Sequence, residues 1–295
     1  MSFGYLIEKI ANAPFEARPF EHLHLRQFFS PEHFRQIVDA PEVSLQSCAS
    51  DAELIDRLVA AGYEPIPFPG TTNSIGEYLD WHATRSAVNT NQVTCEGIGM
   101  VFRLKRPCTE VLRDVNDFFA SADFLRTLTD KFGLDPHAVH GDMGLQKYLD
   151  GYEISPHPDV RRKALTWMIN VNPAADSERL DYHTHYLEFV PERRYVMEYW
   201  RYNPGSDRCW VPWGWCRTVK RQTENNSVVI FAPADDTMHA VVARYDHLRT
   251  QRTQLYGNLW YNAEGPEFKP FFQDFEIGST GRMANDRVSR GTPVG

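Results

Sequence analysis

Residues 148–173 read YLDGYEISPHPDVRRKALTWMINVNP, and this stretch decides the fold. A strand pattern runs into a proline-flanked turn at His157-Pro158-Asp159, and a second strong strand pattern follows over 164–172. The same texture continues outward. Short runs rich in Val, Ile, Thr, Tyr and Trp, separated by Pro, Gly, Asn and Asp, mark strands near 144–154, 182–190, 195–202, 215–221, 226–232, 238–243 and 251–261. Closely spaced strands without intervening helices predict a sandwich or jelly roll and not a doubly wound sheet.

Before residue 140 the spacing is helical. Residues 2–11 predict a short helix, and Ser30-Pro31-Glu32 opens another, with Ser30 as N-cap and proline in the first turn. Residues 50–61 start on cap residues and stop at Gly62, and 109–131 repeat apolar side chains every three or four positions before Gly133 and Asp135-Pro136. Two strands are expected among these helices, near 20–28 and 97–104. The expected fold class is therefore mainly β with flanking helices (α+β), with a jelly-roll core and a helical N-terminal half. We read residues 1–295 as one catalytic domain: a helical region over 1–143, the β core over 144–262, and a polar, partly mobile C-terminal extension over 263–295.

Composition narrows the function. The 295 residues are 42% hydrophobic and 24% charged, an ordinary globular balance. With 31 basic against 39 acidic residues the net charge is −8, which argues against a nucleic-acid partner. No run reaches the roughly 18 apolar residues of a membrane span, and the N-terminus lacks a secretory pattern. Five cysteines (Cys48, Cys95, Cys108, Cys209, Cys216) without CxxC spacing fit a reduced, cytoplasmic protein.

Two His-x-Asp pairs occur, His140-Gly-Asp142 and His157-Pro-Asp159, and with 11 histidines about one such pair arises by accident. Context separates them: His157 and Asp159 stand on a short rigid turn between strands, whereas His140 falls in a loop before the first core strand. A distal histidine is needed to complete a metal set, and His239, after the β-rich run 227–238, fits. Two imidazoles and one carboxylate on one face leave the opposite positions open, as non-haem Fe(II) oxygenases require. Taken alone, His239 reads better as a hydrogen-bonded histidine at a strand end; the rest of the pattern favours the ligand. A basic residue follows on the next strand, in HLRTQRTQLYGNLWY (247–261). Alternation places Arg252, Gln254, Tyr256, Asn258 and Trp260 on one face, a pocket wall by its chemistry, with Arg249 out of phase. Arg252 is favoured over Arg249 as a carboxylate clamp.

Tyr148-x-x-Gly151, His157-x-Asp159, distal His239, then Arg249 or Arg252 and strand-borne Trp260 together resemble the 2-oxoglutarate/Fe(II)-dependent dioxygenases over roughly residues 144–262. The resemblance implies a double-stranded β-helix, Fe(II) held by His157, Asp159 and His239, O2 as oxidant, and 2-oxoglutarate chelating the iron with its far carboxylate on the arginine, helped by Tyr148. Halogenases of that family carry Gly or Ala at the carboxylate position, so Asp159 points to hydroxylation. The segments 181–189, 215–233 and 246–261 also resemble the bacterial hydroxylases of Kdo, the acidic sugar of lipopolysaccharide. That resemblance implies a small-molecule or lipid-linked sugar substrate and work at the cytoplasmic face of the inner membrane. An amino-acid or prolyl-type hydroxylase is the alternative.

His183-Thr-His185-Tyr-Leu-Glu188 resembles the first cupin motif, but the glutamate comes too soon and the framing glycines are missing. His183 and His185 instead share a strand face that suits a substrate pocket, as do Asn258 and Trp260. Arg161-Arg162-Lys163 and Arg193-Arg194 read as solvated surface, although Arg162 beside the metal turn suits an anionic substrate. The Trp-rich loop from Cys209 to Cys216 reads as a barrel cap or stacking wall. A reading from another class is a non-catalytic, cupin-like binding module whose histidines are structural.

Overall fold

A computed structural model describes residues 2–68, 71–84 and 99–276. In chain order the elements are α1 (Tyr5–Asn12), β1 (Leu23–Leu25), α2 (Pro31–Asp39), α3 (Asp51–Ala60), β2 (Tyr63–Pro65), α4 (Ile75–Thr84), β3 (Val101–Leu104), α5 (Glu110–Ala120) and α6 (Ala122–Phe132). Then follow β4 (Val139–Tyr148), β5 (Glu153–His157), β6 (Lys163–Asn170), β7 (His185–Phe189), α7 (Tyr195–Tyr202), β8 (Cys216–Arg221), β9 (Val228–Phe231), β10 (His239–Val242) and β11 (Arg252–Tyr261).

The strands form a seven-stranded sheet, β1-β9-β6-β11-β4-β3-β2, and a four-stranded sheet, β5-β10-β7-β8. From β4 to β11 the chain passes back and forth between the two, and the named strands pair antiparallel. This winding is a double-stranded β-helix, with β1, β2 and β3 extending the larger sheet. The N-terminal helices cover its outer face. Leu6, Ile10, Val115, Phe119 and Leu128 pack in one buried cluster with Leu165, Trp167, Leu255 and Leu259 from β6 and β11. The inner face of the same strands carries polar residues and lines a cavity between the sheets.

The alternation read in β11 holds: Arg252, Gln254, Tyr256, Asn258 and Trp260 all face the cavity. Gly257, on the other face, is required by packing. A Cβ there would lie 2.1 Å from Trp167 Cζ2 and 2.2 Å from its Cε2. Gly257→Ala is expected to lower stability by about 1–3 kcal/mol, the usual cost of overpacking a filled core. An unchanged thermal midpoint would show that the Trp167 indole shifts without penalty.

Ser30 caps α2 by accepting from His33 N–H at 3.2 Å, and Ser50 caps α3 by accepting from Glu53 N–H at 3.2 Å. Several expectations need correction. The helix expected over 109–131 is two helices: Ser121 leaves the helical region and its Oγ both donates to the Phe118 carbonyl at 2.6 Å and accepts from Phe124 N–H at 3.2 Å. The strand expected over 144–154 is β4 plus β5, parted by a turn in which Gly151 takes φ +85°. The strand expected over 195–202 is α7, whose buried residues Val196 and Trp200 stand four apart, a helical repeat hidden by β-prone side chains. His140 lies inside β4, paired with Trp260, and not in a loop. Residues 277–295, which include the stretch expected to be mobile, lie outside the described residues.

Candidate metal and co-substrate site

The turn after β5 and the start of β10 build the centre of the cavity. His157 ends β5, His239 begins β10, and the two are register partners. Asp159 follows two residues after His157, so one turn and one strand pairing bring three donors together. Their ligand atoms lie within 4.8 Å of one another. Nε2 of His157 is 3.9 Å from Asp159 Oδ1, and Nε2 of His239 is 4.0 Å from Oδ2.

Both tautomers are set by the backbone. His157 Nδ1 faces the Ser155 carbonyl at 2.8 Å, and His239 Nδ1 faces the Thr237 carbonyl at 3.0 Å. A carbonyl only accepts, so each Nδ1 carries the proton and each Nε2 presents a lone pair. Burial pushes both imidazoles below their usual range, with the neighbouring ring adding to the effect on His157. Burial alone would raise the Asp159 carboxyl; the Lys163 ammonium, which also donates to it, outweighs that effect and holds the group ionised. Lys163 Nζ donates to Asp159 Oδ1 at 2.7 Å and to Tyr256 Oη at 2.9 Å, while Thr166 Oγ1 donates to Oδ2 at 2.6 Å. This donor set and its outer partners fit a two-His, one-carboxylate metal site.

Among the described residues, a second group with metal-ligand potential is Asp51, His82 and His247. Its geometry argues against ligation. Asp150 N–H donates to His247 Nδ1 at 3.1 Å, which fixes the proton on Nε2, and that atom hydrogen-bonds Asp51 Oδ1 at 2.7 Å. The group ties α3 and α4 to the loops after β4 and β10.

Beyond the triad along β11 lies Arg252, 2% exposed, opposite Tyr148 of β4. Its Nη2 donates to Thr184 Oγ1 at 3.0 Å, its guanidinium stacks 4.4 Å from the Tyr148 ring centroid, and its Nη1 is buried without a partner. A buried guanidinium with an orphaned donor fits a carboxylate, which accepts two parallel hydrogen bonds. With three metal donors in the same cavity, the residues fit Fe(II) and a 2-oxo dicarboxylate. Tyr148 contributes its ring face; its hydroxyl is taken by the Gln146 amide at 2.6 Å.

The other expected residues divide. Asn258 and Trp260 line the cavity, Asn258 Oδ1 3.3 Å from Thr166 Oγ1 and the Trp260 ring 5.4 Å from Lys163 Nζ. Arg249 does not enter: its side chain is 53% exposed and pairs with Asp176 at 2.5 Å. Arg249→Leu is accordingly expected to leave the 2-oxoglutarate Michaelis constant within about twofold of wild type, as for surface changes away from a site. A rise as large as that of an Arg252 variant would reverse the assignment.

His183 and His185 also fall outside the cavity. His185 Nδ1 pairs with Thr218 Oγ1 at 2.9 Å, and burial pushes His183 down to about 4. Thr184, between them, takes the inward face and reaches Arg252, so alternation gave the pocket the residue both histidines flank. The three basic residues after the triad part company. Arg161 binds the Asp207 carboxylate and the Ser206 carbonyl, Arg162 is exposed and outside the cavity, and Lys163 enters the site. Arg193 stacks 4.2 Å over Trp215. His140 and Asp142 have other partners: Asp142 pairs with Arg103 at 2.8 Å and His140 Nδ1 lies 2.8 Å from Asn262 Oδ1. Sequence reasoning missed Lys163, Thr166 and Thr184 as site residues, and reached Trp210, which lines the cavity, only as part of a Trp-rich loop read as a cap or stacking wall. For Lys163, the four-residue step from Asp159 was an available signal.

No protein-family model and no curated protein sequence matches the chain. Among solved structures it is similar to a prolyl-4-hydroxylase from Pseudomonas putida, at 12% identity and TM-score 0.42 over 88% of this chain and 98% of that one. It is also similar to a prolyl hydroxylase from Trichoplax adhaerens in complex with a hypoxia inducible factor peptide fragment, at 9% identity and TM-score 0.41 over 87% and 86%. A third is a 2OG-Fe(II) oxygenase family oxidoreductase from Burkholderia pseudomallei, at 12% identity and TM-score 0.30 over 75% and 96%. Among the described residues no helix is long and apolar enough to cross a membrane, and Cys48, Cys108, Cys209 and Cys216 are free thiols.

Proposed function

We propose that this chain is an Fe(II)- and 2-oxoglutarate-dependent dioxygenase that hydroxylates a C–H bond of a small, polar, anionic substrate. One observation carries the reading: a single cavity of about 460 Å³ holds two Nε2 lone pairs and a carboxylate at its centre and an orphaned, buried guanidinium beyond them. That volume lies within the roughly 300–1,000 Å³ of small-molecule sites. Bound Fe(II) would supply the O2 chemistry that couples oxidative decarboxylation of 2-oxoglutarate, to succinate and CO2, with hydroxylation of the substrate.

The chain's own residues do the rest. His157 and His239 ligate through Nε2 because Ser155 and Thr237 hold the Nδ1 protons. Lys163 and Thr166 keep Asp159 ionised and fixed in direction. Arg252 and Thr184 clamp the far carboxylate of the co-substrate, and the Tyr148 ring covers the guanidinium. Tyr256, Trp260, Phe68 and Trp210 wall the cavity and exclude water.

For the substrate, an acidic sugar such as Kdo, free or lipid-linked, is our first choice, and an amino acid or prolyl residue the alternative. The sugar reading places the protein in the cytoplasm, at the inner-membrane face. The whole chain would act as one catalytic unit. The test is succinate formation by the purified protein under air with Fe(II), ascorbate and 2-oxoglutarate, alone and with Kdo-lipid, sugar acids and amino acids. Iron-dependent succinate raised by one addition is the expected result. None in any condition, from a sample that takes up no iron, would leave a non-catalytic binding module.

A further inference from the structure

After β11 the chain returns across the cavity. Phe272 and Phe275 are buried in a cluster with Trp200 of α7 and with Val211 and Trp215 of the Trp-rich loop, and the Phe268 carbonyl accepts from Asp207 N–H at 2.7 Å. These anchors set Lys269, which lines the cavity with its Nζ 3.6 Å from the Trp210 ring centroid. Trp210 in turn lies 6.2 Å, ring to ring, from the triad residue His157. The Trp-rich loop and the C-terminal segment thus build one wall of the cavity beside the metal donors.

Lys269 differs from the other cations there. Arg103 is paired with Asp142, Lys163 with Asp159, and Arg208 with Asp235 at 2.8 Å and with the Asp159 carbonyl at 3.0 Å. Arg252 is assigned above to the co-substrate. Lys269 is half-buried against an aromatic face, and among the described residues no carboxylate forms an ion pair with it; Asp207 and Asp159 act on it only from farther off. Asp207, in its surroundings, already accepts from the backbone N–H groups of Arg161 and Arg208, at 2.9 and 2.8 Å. Burial pushes the ammonium down from its ordinary range, the condition that a bound anion relieves.

We propose that Lys269, seated on Trp210, is the specificity residue that binds a single carboxylate of the substrate beside the metal centre. One ammonium over one indole balances one negative charge, which selects a monocarboxylate over a phosphate dianion. It also selects a free acid over an internal residue of a peptide, which has no carboxylate to offer. The inference rests on the proposed dioxygenase site and narrows its substrate class to small carboxylic acids.

The test uses the Fe(II)- and 2-oxoglutarate-loaded protein without oxygen, titrated calorimetrically with matched acid and amide pairs: gluconate and gluconamide, proline and prolinamide, pipecolate and pipecolamide. Wild type is expected to bind at least one acid about tenfold or more tighter than its amide, an ordinary value for one desolvated charge pair. Lys269→Met should bring that ratio close to one, and Lys269→Arg should keep most of it. Thermal unfolding of each variant checks folding. Absence of any acid preference in wild type, or its persistence in Lys269→Met, overturns the proposal. Failure of the underlying site shows separately, as absence of 2-oxoglutarate binding by iron-loaded wild type.

Discussion

Asp159→Ala is expected to abolish iron-dependent turnover of 2-oxoglutarate. The carboxylate is the one negatively charged donor of the triad, and its loss should exceed the roughly 10–100-fold that removing an outer-shell partner costs a metal site. Iron retained after desalting should fall in parallel, a readout that does not depend on turnover. The substitution has a second effect, because it strips the buried Lys163 ammonium of its counter-ion. Lys163 is held charged chiefly by Asp159, against the effect of burial. The variant should therefore also lose thermal stability. Asp159→Ala with Lys163→Met should recover much of that stability and none of the iron binding. Full activity of Asp159→Ala with iron present would sink the triad.

Arg252→Leu is expected to raise the Michaelis constant for 2-oxoglutarate by at least about 30-fold. Truncating one partner of a buried, hydrogen-bonded charge pair costs about 2–5 kcal/mol, and about 1.4 kcal/mol is tenfold. The effect should fall mainly on binding, since the clamp holds an end of the co-substrate that does not react. A second measurement is the rise in thermal midpoint on adding 2-oxoglutarate with a divalent metal, which should shrink in this variant and persist in Arg249→Leu. An unchanged Michaelis constant would free the orphaned Nη1 of Arg252 for some other anion.

Much of this site was legible in one dimension because its chemistry is local. His157 and Asp159 are two residues apart on a turn that prolines stiffen, so their convergence needs no tertiary information. The inward set of β11 follows from a period of two, which a strand cannot escape. The jelly-roll class follows from strands too closely spaced for crossover helices.

Register, in contrast, is a long-range property. His239 joins the candidate metal site because β10 pairs with β5 so that it faces His157. Arg252 and not Arg249 reaches the cavity because β11 begins at 252, with Arg249 before it on an exposed loop. The face of His183 and His185 turned away from the cavity and left Thr184 lining it, since β7 meets β10 by pairing His185 with Ala240. α7 displaced an expected strand because Val196 and Trp200 had a cluster to enter, which composition alone does not reveal. Lys163 and Lys269 are surface-like residues by type. Only the fold supplied a buried carboxylate for one and, for the other, an indole face with no ion-pair partner among the described residues. What lies within one turn or one strand was determined by the sequence itself; which face looks inward, and which charge goes unpaired, was decided by contacts between residues far apart in the chain.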